Sequence, residues 1–153
     1  MAAEREDRIL RRMIARSFPA LRRTPIGIRW GVEGDDLLLY SIEAGTHVIS
    51  VNDALRSARR IVLEGGIAHE LCHIDADSAM GRYRRAVAWE LYGRSVWRRT
   101  HEERATERRV IELGYGPHLL AFVRFARGLG YSFMREHGLL YPEIARLTKR
   151  NAR

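Results

Sequence analysis

Three observations predict an α+β fold for this chain. Short alternating apolar segments fill residues 26–51, a helical pattern containing His69-Glu-Leu-Cys-His73 follows at once, and from residue 82 onward the periodicity is helical. The composition agrees: 153 residues, 46% hydrophobic and 30% charged, provide enough apolar side chains for a core. Residues 1–153 are expected to form one domain, since no linker, repeat or low-complexity stretch interrupts them.

The elements follow in order. Ile9, Leu10, Met13 and Ile14 share one face of a helix over residues 5–17 that must end before Pro19. Ile26, Ile28, Trp30 and Val32 alternate as on a half-buried strand; a turn at Glu33–Asp36 leads to a second strand from Leu37 to Ile42. Glu43-Ala-Gly-Thr46 turns the chain into a third strand, His47–Val51, and three antiparallel strands are the simplest arrangement. Asn52 or Asp53 suits a helix cap before residues 54–59. A helix begins near Arg60, and Gly65-Gly66 marks either a boundary or a close approach of another backbone. A helical segment over 82–99 breaks near Gly93, and Thr100-His-Glu-Glu103 has capping-box form, opening a helix to Leu113 that Gly114 closes. Pro117 and Pro142 each open a further helix, the last one basic.

The pentapeptide at 69–73 carries the chemistry. Residues i and i+4 share a helix face, so His69 and His73 can present two imidazole nitrogens to one metal ion. Glu70 is placed beside the first of them, where its carboxylate can act as a general base. Ile67, Leu71 and Ile74 form an apolar stripe on another face, so the helix can bury one side and open the other to a cleft. Cys72 is expected to fill the core, and Trp30, Trp89 and Trp97 are expected to anchor it.

A third ligand must come from another element. Position 79 is alanine, and Asp77 suits a helix end better than a metal. Glu102 is the expected ligand, because the capping box occupies Glu103 with Thr100 and Ala105 leaves room for close packing; Glu103 and His101 are the alternatives. Two imidazoles and a carboxylate suit Zn2+.

Glu102-Glu-Arg-Ala-Thr-Glu-Arg-Arg-Val-Ile-Glu-Leu-Gly-Tyr-Gly-Pro117, taken with His69–His73, resembles the glutamate helix of the gluzincin zinc metallopeptidases, including the very small minigluzincins. The resemblance spans about residues 45 to 120. It implies a zincin-like fold, zinc held by His69, His73 and Glu102, and peptide hydrolysis with Glu70 as base and an extended substrate along an exposed strand, for which His47–Val51 is the candidate. In the family an Asp follows the alanine, whereas this chain has Thr106. A hydroxyl there brings no charge to raise ligand basicity, with Glu107, Asp75 or Asp77 able to compensate. That substitution favours an alternative, a zincin-like module that binds metal or protein without turnover. A regulatory peptidase of the ImmA/IrrE type is a further alternative with compatible spacing. Tyr115 is a candidate oxyanion stabiliser, although a tyrosine after a helix-ending glycine usually packs.

Charge and hydropathy set the remaining expectations. The net charge of +8 comes from 27 Lys+Arg against 19 Asp+Glu, and Lys149 is the one lysine. The arginines are spread along the chain without a nucleic-acid motif, so they are read as a solvated surface. No apolar run is long enough to span a bilayer, the first residues lack the apolar stretch of a signal peptide, and one cysteine leaves no internal disulfide. The expectation is a cytoplasmic protein with a peptide or protein substrate and no membrane or nucleic-acid partner. Because minigluzincin clefts can be covered by the chain's own C-terminal segment, autoinhibition by the basic tail is a further expectation.

Overall fold

Met13 lies one helical turn beyond Ile9 and Leu10, and all three are buried, which seats α1 (Ala2–Ser17) against the first strand. The computed structural model describes residues 2–32, 36–131 and 137–152, with side chains from residue 5; most of the expected turn at Glu33–Asp36 lies outside these. After a 3-10 turn at Pro19–Arg23 come β1 (Ile26–Trp30), β2 (Leu38–Glu43) and β3 (Thr46–Val51).

The sheet corrects the antiparallel expectation. Its order is β1-β3-β2, with β2 antiparallel and β1 parallel to β3. Positive φ at Ala44 (49°) and Gly45 (82°) forms the primed turn that closes the β2–β3 hairpin. The other side of β3 is then open to β1. Trp30 and Leu38 both register with Val51, so connection 31–37 has only two strand spacings to span, roughly 10 Å. As the central strand, β3 buries every residue after Thr46, and it is β1 and β2 that form the edges.

Asn52 caps a short 3-10 turn, Asp53–Leu55, accepting a hydrogen bond from the Ala54 N–H at 2.9 Å, and α2 (Arg60–Ser78) follows. This helix runs unbroken through Gly65-Gly66, with β2 and β3 on one side and α5 (Gly116–Gly128) on another. The glycines are there for contact. A Cβ on Gly65 would collide with the His118 carbonyl oxygen of α5, and one on Gly66 would lie 2.6 Å from Leu38 Cδ1 of β2.

Next come α3 (Arg82–Arg94) and α4 (Val96–Val110), folded back on each other about Ser95. Ser95 is extended, and its Oγ accepts from the Arg98 N–H at 3.2 Å. This upstream cap starts α4 earlier than the Thr100 capping box predicts. Thr100 is inside the helix, its hydroxyl 3.3 Å from His137 Nδ1. A π-type turn at Ile111–Tyr115, with Gly114 inside it at φ 88°, leads into α5, and α6 (Tyr141–Asn151) packs against α5 and this turn. The core cluster reaches from Ile9 to Ile144, with Leu63, Ile67, Leu71 and Ile74 of α2 at its centre. Cys72 is buried there as expected. Trp30 packs against the core, but Trp89 and Trp97 are 43% and 71% exposed and do not anchor it. Among the described residues, no helix is long and apolar enough to cross a membrane.

Candidate metal centre

The i, i+4 spacing on α2 brings the histidine rings together, with Nε2 of His69 and Nε2 of His73 3.2 Å apart. The third side chain beside them is Glu103, not Glu102. Glu103 Oε2 lies 3.0 Å from His69 Nε2 and Oε1 lies 3.4 Å from His73 Nε2. Glu102, one residue earlier and so about 100° around α4, accepts a hydrogen bond from Arg98 instead. His101 stacks on Trp97, away from the cleft. Glu103 looked committed to the cap of a helix beginning at Thr100; with the cap at Ser95, its carboxylate is free to face α2.

His69, His73 and Glu103 form a group that can hold a metal ion, their ligand atoms all within 4.8 Å of one another. The spacing can be tested against a known cation. Nitrogen or oxygen ligands 2.0–2.1 Å from a tetrahedral ion stand about 3.3 Å from each other. The 3.2 Å between the two imidazole nitrogens and the 3.0 Å from His69 Nε2 to Glu103 Oε2 are close to that figure, while the 3.4 Å contact of His73 is with the other carboxylate oxygen, Oε1. The donor set also fits by charge, since Glu70 and Glu107 join Glu103 in stabilising positive charge at His69. Burial opposes that charge, but the three carboxylates outweigh it and raise the His69 pKa to about 9. Burial likewise works against an ionised Glu103, and here the two imidazoles win, holding its carboxyl far below the usual range.

The surrounding residues complete the site. Tyr92 of α3 donates its phenolic hydrogen to Glu103 Oε1 at 2.6 Å, fixing the carboxylate from the side away from α2. Burial followed by Glu103 raises the Tyr92 pKa, so the phenol stays a donor. Glu107 follows Glu103 by one turn, fully buried, and accepts from the Leu139 N–H with Oε2. Its Oε1 and the Nδ1 of His69 are both buried without a hydrogen-bond partner among the described residues. Glu107, rather than Thr106, is therefore the residue one turn beyond the carboxylate facing the histidines. Burial raises its pKa to about 7.

The group opens into a cleft of about 600 Å³. Glu70 is in its wall, and burial first, then Glu103 and Asp36, raise its carboxyl above the usual range despite the neighbouring histidines. Leu37, Leu38 and Leu39 of the β2 region, Phe122 and Ala126 of α5, and Met80 and Trp89 give the cleft apolar walls. Asp77 lines it too, but its Oδ2 accepts the Trp89 indole N–H at 2.7 Å. Tyr115 does not line it; its hydroxyl meets Ser17 Oγ at 3.1 Å. Tyr92 and Tyr40 carry no sequence signal, whereas Glu103 and Glu107 do: they are an i, i+4 acidic pair, the same face-sharing interval as His69 and His73.

Compared with protein-family models, curated proteins and solved structures, the chain matches none of them, so the chemistry of the site rests on its own residues.

Proposed function

We propose that this chain is a zinc-dependent peptide hydrolase in which His69, His73 and Glu103 hold the metal and Glu70 is the general base. The observation that carries this reading is the convergence of two imidazole nitrogens and a carboxylate within 4.8 Å of one another on the wall of an apolar cleft, with a second carboxylate beside them. Zinc bound there would supply Lewis acidity, polarising a carbonyl and acidifying water. Glu70 takes a proton on its carboxylate and returns it to the leaving amine, a task its raised pKa suits. Tyr92 holds Glu103 in place. The edge strand β2, whose Leu38, Leu39 and Tyr40 line the cleft, takes an extended peptide as an added strand, which moves that role from the central β3.

The test starts with zinc content after mild chelation of wild type, Glu103→Ala and Glu102→Ala. Wild type and Glu102→Ala should retain zinc and Glu103→Ala should lose it; retention by Glu103→Ala with loss by Glu102→Ala would reverse the assignment. Glu70→Gln should keep the metal and lose roughly a hundredfold to ten-thousandfold in peptide hydrolysis. Stoichiometric zinc with no turnover by wild type on a broad peptide mixture would replace the hydrolase with a metal-binding module.

A further inference from the structure

We propose that the outer face of the α3–α4 hairpin docks on an anionic phospholipid surface. α3 has no buried residue, although it carries tyrosines, a tryptophan, valine and leucine. Its two sides do different things. Ala88, Trp89 and Tyr92 line the cleft, while Tyr83, Val87 and Leu91, at i, i+4 and i+8, share another face and are 82%, 39% and 46% exposed. Just past the corner, Val96 and Trp97 are 65% and 71% exposed. The apolar surface of this hairpin is left in water while every other helix with described side chains buries some of its own.

Charge says what covers it. Between residues 82 and 99 stand six arginines (82, 84, 85, 94, 98 and 99) against one acid, Glu90. Arg94 pairs with Glu90, Arg98 with Glu102, and Arg99 donates to the carbonyls of Tyr92 and Gly93. Arg82 and Arg84 are exposed and make no hydrogen bond or ion pair among the described residues. A second copy of the chain would set these arginines against their equals. Nucleic acid would satisfy the arginines and the rings but leave Val87, Leu91 and Val96 in water. A bilayer interface accepts all three kinds, with guanidinium groups on lipid phosphates, rings at headgroup level and aliphatic side chains below. Lying on a membrane needs no spanning length, so this is compatible with the absence of a spanning helix among the described residues. It does replace the sequence-based expectation of no membrane partner. The metal centre is not involved, so the inference stands apart from the proposed hydrolase.

The experiment is flotation of the full chain with vesicles of phosphatidylcholine alone or mixed with phosphatidylserine, with tryptophan emission read in parallel. The protein should float only with the mixed vesicles, release at high salt, and shift its emission to shorter wavelength. Arg82→Gln and Arg84→Gln combined should lower binding several-fold, as should Leu91→Ser with Trp97→Ser. Trp97→Phe should keep binding and lose most of the emission shift. Quenching of wild-type tryptophan by nitroxide-labelled lipid reads insertion without any variant. Failure of wild type to float, flotation unchanged by the hairpin substitutions, or binding to polyglutamate or duplex DNA as tight as to vesicles and indifferent to Leu91 and Trp97 would each overturn the proposal.

Discussion

α2 and α3 are both rich in apolar side chains and neither is amphipathic in the ordinary one-faced way, yet the protein uses them oppositely. α2 buries Val62, Leu63, Ile67, Ala68, Leu71, Cys72 and Ile74 between the sheet, α4 and α5, so it is surrounded. α3 buries no residue and is tied down by polar contacts: Trp89 donates to Asp77, Tyr92 donates to Glu103, and Arg99 of α4 donates to the Tyr92 and Gly93 carbonyls. A helix buried on several faces, like α2, belongs in a core, whereas α3 interleaves its apolar residues with Arg82, Arg84, Arg85, Glu90 and Arg94. Here the two helices meet at one cleft: α2 holds the histidine pair rigidly by burial, and α3 supplies an aromatic wall by directed polar contacts. The contrast teaches that apolar content alone does not locate a core.

The largest separation should appear on truncation. Leu71→Ala in α2 should lower stability by about 2–5 kcal/mol, because it empties a filled site. Leu91→Ala in α3 should stay within about 0.5 kcal/mol in the same denaturant titration. Equal losses would mean that α3 is packed after all.

Adding a methyl group should invert the sign. Gly65→Ala forces α2 against the α5 backbone and should destabilise by about 1–3 kcal/mol, while Gly93→Ala, with nothing near its added Cβ, should be neutral or stabilise by up to about 1 kcal/mol. A thermal melt of both variants decides it.

Where the helices touch, the effect should move from stability to metal affinity. Tyr92→Phe removes the phenol from Glu103 and should weaken zinc binding roughly tenfold in a chelator competition, with little change in melting. An unchanged affinity would make the contact incidental to the centre.

Acidification should separate the two surfaces as well. The raised His69 pKa means that the folded chain holds a proton there up to about pH 9, whereas the unfolded chain releases it near 6.5. That proton's contribution to stability is therefore complete below pH 6.5 and lost as pH rises through 9. Zinc must displace the same proton, so affinity should climb with pH, about tenfold per unit at most, and level off above 9. Vesicle binding through the arginines of α3 should be flat over that range, since guanidinium does not titrate there.

Much of this was legible before any coordinates. The histidine pair, the carboxylate of Glu70 beside it, the hairpin turn at Ala44-Gly45 and the helices opened by Pro117 and Pro142 depend on interactions within a few residues of chain, and local sequence specifies those. Two expectations failed where a longer-range choice intervened. The strand order depends on which edge of β3 accepts β1, which alternation within each strand does not encode. The start of α4 depends on competition between the caps at Ser95 and Thr100, five residues apart, and the upstream one prevailed.

The sequence by itself therefore determined that two imidazoles share one face of a helix with a carboxylate beside them, because 3.6 residues per turn is a property of the backbone. Which neighbouring glutamate completes the group was decided by tertiary structure. Glu102 and Glu103 are chemically identical and about 100° apart on α4, and only the rotation at which that helix packs beside α2 turns one toward the histidines and leaves the other to Arg98.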